Sequence, residues 1–494
     1  MFKSFLFAIM LLAISPLCAQ VSFDNRMEME IPSDYYIDNI HSLGRDGFVI
    51  VNRGQTSTKR LLEWRYDFYN VNLEKEFEKS IYIGDKFRKW GEYKTETHVH
   101  QLFKESGGLF DFVSVNLETN ELIQVKGDIS GKFKLVGLTV LGDYAVCIAS
   151  DKKVTQLAAI NWKTGDSKLI PISIEGFKSN RTHLTHIQVL EESQEFFAYV
   201  TAVISKTETE SYVVRLNAEG QKQDVFSIET EGGENIASIS ATKTGAEEYI
   251  FTGTYSLDEI NQSQGVYFLE RKSGKTGFKN FVKFQDLDNF LSYFPGYVGS
   301  DVEKKEEKAE RKGKQLLLNC NIISHEVVKQ GDEYILLGEV YFPTYIIKKH
   351  SDGTTSKQFD GYDYNHAFVV KFDKEGSVVW DDGFKINIYS KPRKVTQIIS
   401  VAEQNDTNMK MVYGSGGSYV FSKSLDYETG EVVDIEESKK IETGTEEEKL
   451  KYSQSTIEFW YDNYFLSYGY QVIKNKNSKD KKKRKVFYLA KVGF

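Results

Sequence analysis

The 494-residue chain carries 71 Asp and Glu against 63 Lys and Arg, a formal net charge of −8, and this modest acidic balance argues against a nucleic-acid partner. Hydrophobic residues make up 40% and charged residues 27%, the composition of a soluble globular protein. The aromatic share of 14% is high, and because aromatic side chains favour half-buried strands, the composition points to a β-rich fold.

The N-terminal segment has the pattern of an export signal. A positive charge precedes an apolar run over Phe5–Ile14, and the small residue Ala19 follows. Residues 1–19 are therefore predicted to be a signal peptide, and Gln20 to begin the mature chain. Cys18 is preceded by Leu17, not by the small residue that lipoprotein processing requires, so ordinary cleavage is preferred. No other apolar run approaches the ~20 residues needed to cross a bilayer. The protein is expected to be periplasmic or extracellular, with association with the outer membrane left open.

From Val21 onward the chain alternates between short β-rich runs and polar turns. The clearest example lies within His366–Phe384, where Ala367–Phe372 and Ser377–Trp380 flank the turn Asp373–Gly376. Glycine allows the positive φ of a tight reversal, and the Asp side chain can bind the turn backbone. Related turns begin at Asn72, Asn116, Asn161, Asn217, Arg271 and Asp426. Each predicts a β-hairpin.

The turns recur roughly every 45–55 residues, a period typical of a β-propeller with four strands per blade. We predict an all-β fold with eight blades, seven being the alternative, in one domain over residues 20–494. The last unit ends at Val486–Gly493 without an outermost strand, and Val21–Glu30 has no hairpin partner of its own. The N-terminal strand is therefore expected to complete the last blade and close the ring, which removes two exposed sheet edges.

Two inserts interrupt the repeat, at about residues 286–314 and 343–364. The first begins with an apolar stretch whose Phe290, Leu291 and Phe294 are expected to anchor it, and it continues into a short charged helix over Asp301–Lys314. The second, Pro343–Tyr364, is predicted to be a long hairpin or loop. These aromatic residues either form a binding surface or hold the inserts against the blade.

The repeats resemble those of secreted propeller proteins of the quinoprotein-like and outer-membrane-assembly-lipoprotein kind. The matching phrase, Asp-x-x-Thr-Gly-x-x-x-Trp, is found at Asp373–Trp380 without its Thr and at Asp426–Glu431 without its Trp. The resemblance implies a propeller fold over most of the mature chain. A propeller fold by itself implies no activity.

The sequence contains no glycine-rich phosphate loop, no Cys-x-x-Cys pair, and neither an HExxH nor a GxSxG motif, so no cofactor, metal or catalytic residue is predicted. His98 and His100 share one strand face without a further ligand nearby, which favours an ordinary strand over a metal site. The mature chain retains Cys147 and Cys320, both within apolar strand-like runs, and they are expected to be buried thiols rather than a disulfide.

Polar and aromatic residues at strand ends in the sixth unit form the best candidate binding site. They are His325, Glu339, Tyr341, Tyr345, Tyr362, Tyr364 and His366, with Glu326 beside them. Strand-end loops on a rigid scaffold are where binding residues concentrate. The alternative is that these aromatic residues pack the insert onto its own blade.

The sequence leaves two functions open. The first is a non-enzymatic scaffold that binds another protein of the cell envelope through propeller-face loops. The second is a propeller hydrolase or lyase acting on glycans or peptides, with the sixth-unit His and carboxylates as acid and base. A funnel of converging carboxylates and His would favour the enzyme, whereas charge confined to loops favours the scaffold. Weak contact with an anionic surface is also considered, through Lys481, Lys482, Lys483, Arg484 and Lys485.

Overall fold

The structure, a computed structural model, is 68% strand and 5% helix. It describes residues 22–30, 35–56, 60–129, 131–151, 154–230, 232–257, 262–294, 304, 307–309, 311, 313, 316–391, 395–405, 407–415, 419–445, 447–476 and 483–494. The predicted signal peptide lies outside the described residues. No helix among the described residues is long and apolar enough to span a membrane.

The strands form eight consecutive antiparallel sheets, numbered here in chain order. Sheet 1 contains β2 (Tyr35–Ser42), β3 (Phe48–Thr56), β4 (Leu61–Tyr69) and β5 (Lys75–Gly84). Sheet 2 contains β6 (Arg88–Lys94), β7 (His98–Lys104), β8 (Leu109–Asn116) and β9 (Leu122–Asp128). Sheet 3 contains β10 (Lys134–Leu141), β11 (Tyr144–Ser150), β12 (Thr155–Asn161) and β13 (Ser167–Pro171). Sheet 4 contains β14 (Thr182–Leu190), β15 (Glu195–Val203), β16 (Thr209–Asn217) and β17 (Lys222–Ile228).

The remaining sheets continue this order. Sheet 5 contains β18 (Asn235–Gly245), β19 (Glu248–Ser256), β20 (Gly265–Lys272) and β21 (Lys275–Lys283). Sheet 6 contains β22 (Asn321–Ser324), β23 (Val328–Gln330), β24 (Glu333–Lys349), β25 (Thr355–Phe372) and β26 (Val378–Ser390). Sheet 7 contains β27 (Ser400–Asn405), β28 (Asn408–Gly414), β29 (Tyr419–Asp426) and β30 (Val432–Lys440). Sheet 8 contains β31 (Glu448–Tyr461), β32 (Tyr464–Asn475), β33 (Lys483–Gly493) and β1 (Ser22–Glu30). Short 3-10 helices lie at Gly44–Asp46, Ser179–Arg181, Glu191–Ser193, Phe284–Asp286 and Phe290–Tyr293.

The repeated turns form as their sequences predict. In the hairpin of β25 and β26, Asp373 Oδ1 accepts a hydrogen bond from the Ser377 amide at 2.7 Å, and Gly376 has a φ of 77°. The same side-chain bond to the turn backbone recurs at Asn116, Asn161 and Asp426. Because each turn satisfies its own backbone groups, it can reverse the chain in only a few residues. The predicted all-β fold of repeated hairpins is confirmed.

The first strand joins the last sheet. β1 pairs antiparallel with β33, from Ser22 opposite Gly493 to Glu30 opposite Val486. Arg26 Nη2 also donates to Gln471 Oε1 on β32 at 2.6 Å. The first and last strands of the described chain are therefore hydrogen-bonded neighbours within one sheet.

Each apolar cluster of the core lies between two consecutive sheets. The cluster between sheets 5 and 6, for example, joins Val266 and Phe268 to Leu336 and Phe368. Another cluster joins sheet 8 to sheet 1, where Trp460 packs edge-on against Phe48 at 5.7 Å. Eight successive sheets, seven of four strands and one of five, packed face to face in this way are consistent with a β-propeller.

The first insert packs onto sheet 6. Phe290 is completely buried, stacks on Phe284 at 4.3 Å between centroids, and meets Phe368 edge-on. The insert backbone is also held, because Asp381 accepts hydrogen bonds from the amides of Asp288 and Asn289, each at 2.8 Å. The aromatic residues of this insert therefore hold it against the blade. Of the predicted charged helix, residues 304 and 307–309 are helical and residues 311 and 313 lie in turns, and its other residues lie outside the described part of the chain.

The two cysteines of the described chain, Cys147 and Cys320, are free and buried, as the sequence predicts. Burial raises the pKa of the Cys147 thiol to about 12, so the thiol is protonated and unreactive at neutral pH. Both therefore pack as small apolar residues.

Candidate functional site

A cavity of about 340 Å³ opens where sheets 4, 5 and 6 meet. Its walls come from β14, β15, β16 and β18 and from the connection between β22 and β23, and they include His186, Tyr199, His325, Glu326 and Gln397. This size lies at the lower end of the range for small-molecule sites.

His325 lines this cavity and is held by a buried carboxylate. Its Nε2 lies 2.8 Å from Oε1 of Glu339, whose side chain is completely buried on β24. Glu339 is fixed in turn, because Oε1 accepts from the Ile399 amide at 2.9 Å and Oε2 accepts from the Ile398 amide at 3.0 Å. A carboxylate that already accepts two N–H groups suits a third donor, so the proton of a neutral imidazole belongs on Nε2. Nδ1 is then the unprotonated nitrogen, and it makes no hydrogen bond to the described residues.

A second carboxyl group, that of Glu326, stands beside His325 in the cavity wall. Burial, together with the nearby negative charge of Glu191, raises the pKa of Glu326. The pKa of Tyr93, on β6 of sheet 2, is raised chiefly by burial and further by the negative charges of Glu326 and Glu191. The electrostatic influence of Glu326 therefore reaches residues of sheets 2 and 4, and a group with this raised pKa is suited to donate a proton.

Another part of the cavity wall is a hydrogen-bonded network that joins sheets 4 and 5. Tyr199 donates to Gln188 Oε1 at 2.6 Å, and the same oxygen accepts from the Ala241 amide at 2.8 Å. The His186 ring stacks on Tyr199 at 4.3 Å, and its Nε2 lies 2.9 Å from the Ile239 carbonyl oxygen. Burial lowers the pKa of His186 to about 4, so His186 is neutral near pH 7 and donates to that carbonyl.

The sequence candidates of the sixth unit fall into three places. His325 and Glu339 form the hydrogen-bonded pair at the cavity. Tyr341, Tyr345, Tyr362 and Tyr364 lie together along the extended hairpin of β24 and β25. His366 is completely buried and meets the Phe290 ring edge-on at 5.0 Å, so it packs against the first insert. Burial lowers its pKa to about 4.

Several polar residues approach one another only in the fold. His186 is not among the candidates from the sequence, yet it lines the cavity. Glu458 on β31 lies near Lys94 on β6, and burial raises the pKa of Glu458 to about 7 despite the opposing charge of Lys94. Glu458 and Lys94 come from distant units of the chain, and His186 meets the other residues of the cavity wall only in the fold. No local motif could therefore have indicated these neighbours.

Other candidates are explained by local structure. The His98 and His100 rings stack at 5.4 Å and both contact Trp162, and no metal-binding group of His, Cys, Asp and Glu occurs among the described residues. In the basic loop, Lys481 and Lys482 lie outside the described residues. Arg484 pairs with Glu28 at 2.6 Å and with Glu448 at 2.7 Å. The anionic-surface contact stays a prediction.

No family model and no curated protein matches the sequence. Among solved structures, prolyl oligopeptidase B from Galerina marginata is 9% identical with a TM-score of 0.39, covering 90% of this chain and 56% of that one. An ulvan lyase is 8% identical with a TM-score of 0.39, and the match covers 80% of this chain and 90% of the lyase. The β-propeller domain of the Trilobed protease from Pyrococcus furiosus is 11% identical with a TM-score of 0.35, and the match covers 81% of this chain and 97% of that domain. The chain thus spans about half the length of the prolyl oligopeptidase, 56%.

The interpretation as a non-enzymatic scaffold is the one expectation from the sequence that needs correction. That interpretation depended on charge being confined to loops, whereas the fold brings His325, Glu339 and Glu326 together at one cavity. The likeness concerns the fold alone, and no family model supports the quinoprotein-like or outer-membrane-assembly kinship.

Proposed function

We propose that this protein is a hydrolase or lyase acting on glycans or peptides, and that its acid–base chemistry takes place at the cavity between sheets 4, 5 and 6. One observation carries the proposal. A fully buried Glu339, anchored by two backbone amides, holds His325 at 2.8 Å in a cavity that also contains Glu326. A carboxylate that orients an imidazole is the arrangement by which enzymes prepare a histidine for proton transfer.

The two groups have complementary roles. Glu339 keeps the proton of His325 on Nε2, which leaves Nδ1 free to accept a proton from a substrate or from an attacking water. The negative charge of Glu339 then stabilises the imidazolium that forms. Glu326, whose pKa is raised by burial and by Glu191, supplies the proton that a departing oxygen or nitrogen needs. His325 as base and Glu326 as acid can serve two reactions. In hydrolysis His325 takes a proton from the attacking water, and in elimination it removes a proton bound to carbon.

The test is activity at this pair. The purified mature chain is assayed against labelled casein and against a panel of polysaccharides, with peptide release and new reducing ends as the readouts. Against whichever substrate is cleaved, His325→Ala should lower kcat by about 100-fold or more, as expected for a lost general base. Glu326→Gln should lower kcat and remove the alkaline limb of the pH profile, because a glutamine cannot donate the proton.

His183→Ala provides the matched control. His183 is an exposed histidine on β14 that does not line the cavity, so the variant should keep full activity. If His325→Ala and His183→Ala cleave equally well, the cavity is not the catalytic site. If no class of substrate is cleaved by the wild-type chain, the proposed function is wrong.

We further infer that the eight sheets are eight blades arranged in a single closed ring over the mature chain, residues 20–494. The pairing of β1 with β33 supports closure, as does the cluster in which Trp460 of sheet 8 donates to the Gly47 carbonyl of sheet 1 at 2.8 Å. A closed propeller leaves only short, protected sheet edges. Export is proposed from the signal-like residues 1–19. Fractionation of a bacterial host that expresses the full chain would test it, and a precursor retained in the cytoplasm would contradict it.

A further inference from the structure

The hairpin of β24 and β25 extends well beyond the rest of sheet 6 and has one strongly aromatic face. Cross-strand pairs place Tyr341 opposite Tyr364, Tyr345 opposite Phe359, and Ile347 opposite Lys357. Side chains alternate between the faces of a strand, and directly paired residues share a face. This set, completed by Pro343 opposite Tyr362, is called the aromatic face from here on.

The rings of the aromatic face form a continuous row. Centroid distances are 5.5 Å from Tyr341 to Tyr362, 5.0 Å from Tyr362 to Phe359, and 6.0 Å from Phe359 to Tyr345. Successive rings meet edge to face, so the row presents ring faces and ring edges in turn. Exposure increases outward, to 44% at Phe359, 46% at Tyr345 and 74% at Ile347. The hydroxyls of Tyr341, Tyr345 and Tyr362 make no hydrogen bond to the described residues.

The charges on this face are positive. Lys357 lies 4.0 Å from the centroid of the Tyr345 ring, and Lys349 shares the face at the outer end, opposite Thr355. Two carboxylates of the hairpin have partners of their own: Asp360, at a bulge in β25, pairs with Lys391 at 2.8 Å, and Asp352, in the turn, accepts from the amide and the hydroxyl of Thr354. Neither lysine forms an ion pair with a described residue. The outer part of the face thus combines aromatic surface with two uncompensated cations.

The inner end of the row lies beside the cavity. Tyr364 donates to the Thr396 carbonyl at 2.9 Å, and Glu339 binds the amides of Ile398 and Ile399. Between them lies Gln397, which lines the cavity. The segment at the cavity edge is therefore anchored on one side by Tyr364 of the aromatic face and on the other by Glu339, the partner of His325.

We propose that the aromatic face binds an extended anionic polysaccharide, one carrying carboxylate or sulfate groups, and positions it at the cavity. This inference rests on the proposed function and chooses glycans over peptides as the substrate class. The C–H groups of a pyranose pack on ring faces, and its hydroxyls meet the free tyrosine hydroxyls. The rings are spaced by about the length of one sugar unit. Lys349 and Lys357 supply the attraction for the acidic groups of the polymer.

The experiment measures binding apart from cleavage, on the full mature chain carrying His325→Ala. Affinity electrophoresis is run in gels containing polygalacturonate, chondroitin sulfate or neutral dextran. We expect retardation by one or both anionic polymers and none by dextran, with retardation weakening as salt is added. Chondroitin sulfate carries both carboxylates and sulfates, so retardation by polygalacturonate shows that carboxylates suffice, whereas retardation by chondroitin sulfate alone shows that sulfate is required.

Variants then locate the site. Tyr345→Ala combined with Phe359→Ala should raise Kd at least about tenfold, since buried aromatic contacts dominate such interfaces. Lys349→Gln combined with Lys357→Gln should weaken binding and flatten its salt dependence. The controls are Tyr82→Ala, 56% exposed on β5, and Lys222→Gln with Lys275→Gln, all on other strands. A melting temperature equal to that of the parent shows that each variant folds.

Each outcome decides the proposal. It is overturned if no anionic polysaccharide binds, if dextran binds equally well, or if the control variants lose binding as the aromatic variants do. Stronger binding to anionic phospholipid vesicles or to acidic peptides than to any polysaccharide would also overturn it. Loss of binding in the aromatic variants alone supports it. If the wild-type chain cleaves only peptides, the proposed function survives and this inference fails. If polysaccharide binds but nothing is cleaved, the inference about binding survives and the proposed function fails.

Discussion

Replacing Glu339 with alanine should destabilise the protein and abolish the proposed activity for one physical reason. The Glu339 side chain is completely buried and accepts hydrogen bonds from the amides of Ile398 and Ile399 and from Nε2 of His325. Alanine leaves both amides and the imidazole without an acceptor, in a place that water does not fill easily. Each unsatisfied buried donor costs about 1–3 kcal/mol, so a loss of about 3–5 kcal/mol in the free energy of unfolding is expected.

Two further variants separate stability from catalysis. Glu339→Gln keeps an acceptor oxygen for the amides but removes the negative charge that stabilises a protonated His325. It should cost only about 1–2 kcal/mol of stability while lowering kcat substantially. His325→Ala leaves Glu339 with its two amide bonds, so its cost should be about 1 kcal/mol, again with lost activity.

Guanidinium unfolding followed by tryptophan fluorescence measures the first quantity, and turnover of the identified substrate measures the second. The expected order of stability is wild type, then His325→Ala and Glu339→Gln, then Glu339→Ala. A Glu339→Ala protein as stable as wild type would refute the assignment of the carboxylate as a buried anchor. Full activity in Glu339→Gln would refute its role in orienting and charging the histidine.

Three other predictions follow from the fold. Deleting Ser22–Glu30 should expose the edge of β33 and cause aggregation or a sharply lower melting temperature, and a monomer with unchanged melting on size-exclusion chromatography would contradict this. Phe290→Ala should cost about 3–5 kcal/mol in denaturant unfolding, because the ring is fully buried, whereas a cost below about 1 kcal/mol would mean that the insert does not anchor there. The raised pKa of Glu458, about 7, means that its contribution to stability is present below the unfolded value near 4.5 and is lost as the pH rises to about 7. Glu458→Gln should therefore gain stability relative to wild type at pH 8 but not at pH 4, and parallel pH–stability curves would exclude the effect.

The local structure of this protein follows from its amino-acid sequence alone. Turns such as Asp373–Gly376 contain their own explanation, because the Asp oxygen binds the turn amide and the glycine takes the positive φ. Such signals repeat along the chain, so they predicted antiparallel hairpins, a repeat and the partnership of the two terminal strands. The buried thiols of Cys147 and Cys320 were also predictable, since they lie in apolar strands.

Which polar groups meet, in contrast, depends on how the sheets pack in three dimensions. His325 and Glu339 are both in the sixth unit and could be proposed together, but their anchoring depends on amides of Ile398 and Ile399 at the start of the next unit. The raised pKa of Glu326 depends on burial and on Glu191 from sheet 4. Spacing along a strand indicates which face a residue occupies, but not which residue of another sheet faces it. That depends on how successive sheets pack, and it is the packing that turns scattered His and Glu residues into a cavity suited to proton transfer.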